Sequence, residues 1–190
     1  QRLNSSGGLQ LTDRSINNSK FNIDRDFCLQ IHNTNEFEDK FSYNFRGAIS
    51  MGEGRNWTDN DDTGLAFTGK AEIYPFGAFK KTGAFFEGDL MREQSPKLMI
   101  SGAYHQNNQA KRERGQTGSD LFESRTMRSV FGDLIFKYKG WALMSAYMNR
   151  TAKDPITVNP ADLNDVRYVF VGEGLDLQVS YLFRHNFELI

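Results

Sequence analysis

Catalysis needs particular side chains at particular spacings, and in this sequence the reactive types stand apart. His32, His105 and His185 are isolated, no serine lies in a glycine elbow, and no HExxH pair of histidines appears. Cys28 is the only cysteine, which excludes an internal disulfide and a cysteine-rich zinc site. The expectation is therefore a protein that is not an enzyme and uses no cofactor and no metal. Two charge clusters are candidates for binding. Thr58 to Gly64 packs Asp59, Asp61 and Asp62 into one loop, but the spacing and distal glutamate of a calcium-binding EF-hand are missing, so the segment reads as a solvated tip. The run Lys111-Arg112-Glu113-Arg114 offers phosphate-binding groups for lipopolysaccharide or nucleic acid. It is short and interrupted, and reads as a solvated loop.

The remaining ionic side chains follow a parity. From Lys40 to Met51 one face carries Phe41, Tyr43, Phe45, Gly47, Ile49 and Met51, while Ser42, Asn44, Arg46, Ala48 and Ser50 occupy the other. From Leu65 to Pro75, Leu65, Phe67, Gly69, Ala71 and Ile73 oppose Thr68, Lys70, Glu72 and Tyr74. The same period of two recurs from Phe27, Leu98, Val130, Trp141 and Leu175, and an eighth strand starts near Phe187. Alternation over such lengths predicts strands with two unlike faces. Short links fall near Glu38-Asp39, Lys139-Gly140 and Arg184-His185-Asn186; long polar ones cover 52–64, 107–127 and 150–172. Gly77 to Pro96 breaks the scheme as a long excursion on the short-turn side, with a helical turn expected around Glu87 to Gln94.

Composition narrows the setting. Among 190 residues, 38% are hydrophobic and 25% charged, and no stretch reaches the ~20 consecutive apolar residues of a spanning helix. Twenty-three basic against 24 acidic residues give a net charge of −1, so nucleic acid is not an expected partner. Several strands approach the ~9–11 residues that cross a bilayer at a tilt. Aromatic residues gather near strand ends on the apolar face, at Phe41 and Tyr43, Tyr138 and Trp141, Tyr147, and Tyr181 and Phe183, as in the girdles of membrane barrels. The opposite face mixes small residues with both charges, which suits a wet lumen. The alternatives are a soluble barrel with the apolar face inward and a non-conducting barrel that scaffolds a larger surface complex. A sheet facing lipid has to close, and eight strands ending after Phe187-Glu188-Leu189-Ile190 read as part of a barrel of about 16–18. The fold class expected is all-β, a transmembrane antiparallel β-barrel of which this chain, 1–190, is a partial one with residues 26–190 as successive hairpins.

Nearly the whole chain resembles the middle of the Gram-negative phosphate-selective porins of the O and P type. The runs that carry the likeness are Phe21-Asn22-Ile23-Asp24-Arg25-Asp26-Phe27, Gly52-Glu53-Gly54-Arg55-Asn56, Glu72-Ile73-Tyr74-Pro75-Phe76-Gly77, Phe86-Glu87-Gly88-Asp89-Leu90 with Pro96-Lys97-Leu98, Arg112-Glu113-Arg114-Gly115-Gln116, Phe136-Lys137-Tyr138-Lys139-Gly140 and Ala152-Lys153-Asp154-Pro155. The resemblance implies an outer-membrane barrel of about twice this length, usually a homotrimer or part of a larger outer-membrane complex. Lipid and lipopolysaccharide would surround it, and small solutes, anions such as phosphate among them, would diffuse through it.

Selectivity in such a channel comes from charged linings and constrictions. The polar segment 1–25 is extracellular by parity and is the candidate for a loop folded into the lumen, with Arg2, Arg14, Lys20 and Arg25 as constriction cations. Guanidinium forks suit phosphate oxygens; Asp13 and Asp24 could equally pair with Arg14 in a structural network. Arg46, Lys70, Glu72, Asp133, Lys137, Arg150, Asp176 and Arg184 are the candidate lumen-facing charges of the wall. Lys70 and Glu72, two apart on one face, could form a salt bridge within the wall.

Overall fold

The computed structural model describes residues 8–11, 13–55, 64–81 and 83–190. Among these residues one short α-helix, α1 (Ile16–Phe21), precedes ten strands: β1 (Cys28–Asn35), β2 (Ser42–Ser50), β3 (Ala66–Tyr74), β4 (Lys97–Arg112), β5 (Asp120–Tyr138), β6 (Trp141–Ala152), β7 (Ile156–Asn159), β8 (Asp162–Tyr168), β9 (Gly172–Leu182) and β10 (Glu188–Leu189). Eight of them form one antiparallel sheet in the order β1-β2-β3-β4-β5-β6-β9-β10. β7 and β8 form a separate ribbon in the connection from β6 to β9. The meander follows from the short links. Lys139 and Gly140 have φ of 47° and 94°, the left-handed pair that a two-residue hairpin turn demands.

Register keeps like faces together across the sheet. Leu29 lies opposite Ile49 and Ile49 opposite Phe67; Ile100 pairs with Leu134, Leu143 with Val179 and Trp141 with Tyr181. On the other face Arg46 pairs with Lys70 and Lys70 with Ala103, while Ser101, Asp133, Ala146 and Asp176 form one row. The two faces are covered in the reverse of the usual sense. Leu29 and Leu177 are 75% and 69% exposed, and Phe45, Ile49, Phe67 and Trp141 are also open, whereas Ser42, Asn44, Glu72, Lys97, Ser101, Lys137, Arg150 and Ser180 are buried. In a water-soluble fold, apolar burial drives the sheet to hide the opposite face.

Two inward segments cover the polar face. One is the described part of 8–27, which includes α1. The other is the connection from β3 to β4, containing a 3₁₀ turn at Gly83–Phe85. Small apolar clusters seal its two ends: Tyr74, Phe79, Met99 and Ile135 beneath that connection, and Ala110, Leu121, Met127 and Val169 at the long-loop end.

Three expectations need correction. The polar loop expected at 107–127 is largely strand, because β4 runs on to Arg112 and β5 starts at Asp120, with register shifts between Asn107 and Arg112. The connection 150–172 contains the β7–β8 ribbon, with Val158 opposite Val166. The helical turn expected around Glu87 to Gln94 is instead bends and one tight turn, in which the Arg92 amide donates to the Asp89 carbonyl (3.0 Å) while the Asp89 carboxylate accepts from the amides of Glu93 and Gly140. The carboxylates Asp59, Asp61 and Asp62 lie outside the described residues, as does Arg2.

Candidate functional site

The described part of 8–27 runs along the polar wall and is anchored by polar groups of the strands, of the loops beside them and of the β3–β4 connection. At the short-turn end the Glu87 amide donates to the Gly8 carbonyl (3.1 Å). The Gln10 amide donates to Glu87 Oε2 (2.7 Å), and the Gln10 side chain donates to Ser180 Oγ (2.8 Å) and to Glu188. Midway, Asp176 accepts from Ser15 Oγ (2.5 Å) and Asn17 Nδ2 (2.7 Å). Ser15 also caps α1 by accepting from the Asn18 amide. At the last turn, Arg150 donates to the carbonyls of Lys20 (3.1 Å) and Phe21 (3.0 Å), the place where a helix leaves carbonyls unmet. At the loop end Asp26 accepts from the amides of Gly52 (2.6 Å) and Gly54 (3.2 Å) and from Gln116 (3.3 Å). Gly52 and Gly54 have φ of 89° and 82°, which aims both amides at that carboxylate.

The sequence-predicted charges divide into three groups. Lys137 and Arg150 face inward but are 1% and 2% exposed; Lys137 donates to backbone carbonyls and Arg150 to two carbonyls and the Ser129 hydroxyl, so they act as anchors of the inner layer. Lys70 and Glu72 form a 2.7 Å pair in the wall, extended by Asn44, which donates to Glu72 at 2.8 Å. Asp133 accepts from Ser101 (2.8 Å), and Asp176 holds α1. The third group borders open space. Arg46 donates through Nε to Asn44 at 3.4 Å, Arg25 and Lys20 are exposed, and Arg14 is half-buried with its amide on Asp13. Arg184 falls in the turn after β9 and is exposed there.

Three cavities follow one another along β1–β4, between the wall and the inner layer. The outer, about 460 Å³, is lined by Arg25, Asp26, Gln30, Arg55 and Thr68. A middle one of about 80 Å³ lies among Asn18, Asn22, Arg46, Thr68, His105 and Asp133. The inner, about 170 Å³, is bounded by Glu36, Arg46, Glu72, Tyr74 and Phe85. Thr68 and Gln30 are shared by the first two, and Arg46 and Lys70 by the last two, so the three are successive spaces with a waist at Arg46.

Several contacts of this site carry no sequence signal, and Arg114, from the basic run expected to be a solvated loop, is half-buried. Arg55 pairs with Asp24 at 2.7 Å, and Arg114 reaches the Ser19 carbonyl at 3.1 Å. The Phe170 ring lies 5.2 Å from Lys20 Nζ and 6.0 Å from the Arg114 guanidinium, tying two long connections to α1. Lys97 and His105 could have been found by parity alone, since both share the inward register of Ser101. No protein-family model, curated protein or solved structure matches this chain.

Proposed function

We propose that this chain is part of an outer-membrane diffusion channel of a Gram-negative bacterium, a porin in which solutes pass along the polar face and lipid touches the other. The observation that carries the reading is the reversed distribution of residues: Leu29, Ile31, Phe45, Leu175 and Leu177 are open while Glu72, Lys97, Lys137 and Arg150 are covered. Bare leucine and phenylalanine across a whole sheet face are costly in water and favourable in hydrocarbon. β2 and β3 have nine residues and β9 eleven, lengths that cross a bilayer at a tilt. No helix among the described residues is long and apolar enough to cross a membrane, which bears on helices only.

In this reading the barrel is completed by strands beyond β1 and β10, to about 16–18 in all, and assembles as a homotrimer or within a larger complex, among lipid and lipopolysaccharide. Transport is steric and electrostatic. It needs no cofactor and no covalent intermediate. The waist at Arg46, where Lys70 is neutralised by Glu72, gives small anions, phosphate among them, a favourable contact. Planar-bilayer recordings of the full-length protein test this: discrete channels with anion-directed reversal potentials are expected, and their absence removes the reading.

A second reading, a non-conducting barrel that scaffolds a surface complex, draws support from how fully 8–27 and the β3–β4 connection cover the wall of β5–β9. It predicts a protein that inserts into bilayers without steps in current and copurifies with partners.

A further inference from the structure

The connection from β3 to β4 is where the chain departs most from a simple meander, and two lysines hold it. Lys137 on β5 and Lys97 on β4 are each 1% exposed. Lys137 Nζ donates to the carbonyls of Gly83 (2.6 Å), Phe86 (2.5 Å) and Gly88 (2.8 Å). Lys97 Nζ donates to the carbonyls of Phe76 (3.0 Å) and Glu38. An ammonium has three donors, and Lys137 places all of them on this one segment.

The dependence is mutual. A charge taken out of water is costly unless its donors are met. The three carbonyls lie in a 3₁₀ turn and the bends after it, away from any strand ladder. Removing either side strands the other.

Further contacts carry the segment across the sheet. Asp89, 1% exposed, accepts from the Gly140 amide at 2.8 Å, and the Lys139 amide donates to the Glu93 carbonyl at 2.8 Å. Arg92 donates to the carbonyls of Leu182 (2.9 Å) and Phe183. Phe79 packs with Tyr74, Met99 and Ile135. The connection thus passes the ends of β4, β5 and β6 to reach β9. It meets segment 8–27 at Glu87, which accepts from Gln10 (2.7 Å) and Gln178 (3.2 Å).

We propose that Lys137 and Lys97 are positioning residues of the pore: they fix this connection as a second constriction at the short-turn end, added to the narrowing that segment 8–27 makes along the wall. The pore role rests on the channel reading above; the lysine lock does not.

The test is Lys137→Met in the full-length protein, with Arg92→Ala as a second variant that loosens the far end without emptying a buried position. Hydrogen exchange in detergent reads the lock directly. Amides of 83–93 should exchange about tenfold faster in Lys137→Met while those of β4–β6 keep their protection. Single-channel conductance should rise by about half or more in both variants as the floor loosens. Unchanged exchange at 83–93 overturns the lock. Faster exchange with unchanged or lower conductance overturns the constriction. A wild-type protein that forms no channels overturns the channel reading and the pore role with it, and exchange then decides the lock alone. Should Lys137→Met fail to fold, Lys137→Gln, which keeps an amide donor in place of the three ammonium donors, carries the exchange measurement and Arg92→Ala the conductance, with the same outcomes.

Discussion

Asn17 of α1 and Asp176 of β9 meet at 2.7 Å although 159 positions separate them, and Ser15 reaches the other oxygen of the same carboxylate. Two residues before Asp176, on the same face of β9, stands Gly174, where a Cβ would lie 2.1 Å from Asn17 Oδ1. One wall residue therefore holds the helix and its neighbour leaves room for it. Asp176→Ala removes the shared acceptor and is expected to cost about 1–2 kcal/mol, read from the urea midpoint of the detergent-solubilised protein. Gly174→Val displaces Asn17 sterically, and should raise channel conductance in the same direction as Asp176→Ala. Opposite signs for the two would separate the helix from the pore.

Arg46 borders both the waist and the inner space, while the neighbouring Lys70 charge is matched by Glu72. Arg46→Glu should move the zero-current potential in a salt gradient toward cations, and Lys70→Gln should move it much less. Equal shifts would mean that the wall pair does not neutralise Lys70.

The open face supplies a stability prediction. Leu177 is 69% exposed and stands beside Ser145 in register, in the middle of β9. Leu177→Arg is expected to destabilise the protein folded into lipid vesicles by about 2–4 kcal/mol, the range for a cation placed at mid-bilayer on a barrel exterior. Urea titration scored by heat-modifiable gel migration measures it. In a water-soluble sheet the same substitution would be close to neutral.

The β5–β6 turn has its own requirement. Gly140 has φ 94°, and a Cβ there would meet the Leu182 carbonyl oxygen at 2.6 Å. Gly140→Ala combines left-handed strain with that contact and should cost about 1–2 kcal/mol on the same titration. Lys139→Asn at φ 47° suits the turn and should be tolerated.

The sheet was legible wherever its faces differ. Between Phe41 and Ile49, or Leu175 and Phe183, apolar and polar residues alternate, and period two is the mark of a strand whatever its solvent. The signal fades from Gln106 to Arg112 and from Asp120 to Arg128, where Ala110, Leu121, Phe122 and Met127 are too few to set up an alternation while backbone pairing continues. Hydropathy reads solvent and not hydrogen bonds, so the upper halves of β4 and β5 looked like loop. The inner layer was less legible still. By residue type and parity Lys137 and Arg150 are charges that wet a lumen, but their main partners are carbonyls of Gly83, Phe86 and Gly88 and of Lys20 and Phe21. Backbone acceptors leave no trace in residue type, so parity located these cations and left their partners unnamed. Lys70 with Glu72 was readable because both members are side chains two apart on one strand.

The central claim is that hydrocarbon, and not water, touches the Phe45, Ile49 and Leu177 side of this sheet. Its most direct test is a nitroxide scan along β9 in a Cys28→Ser background, with single cysteines at positions 174 to 181 of the protein in lipid vesicles. The account predicts that labels at Leu175, Leu177 and Val179 collide with dissolved oxygen and are shielded from a water-soluble nickel chelate, with the pattern reversing at Asp176 and Gln178. Chelate access at Leu175, Leu177 and Val179, or a scan without alternation, would contradict it.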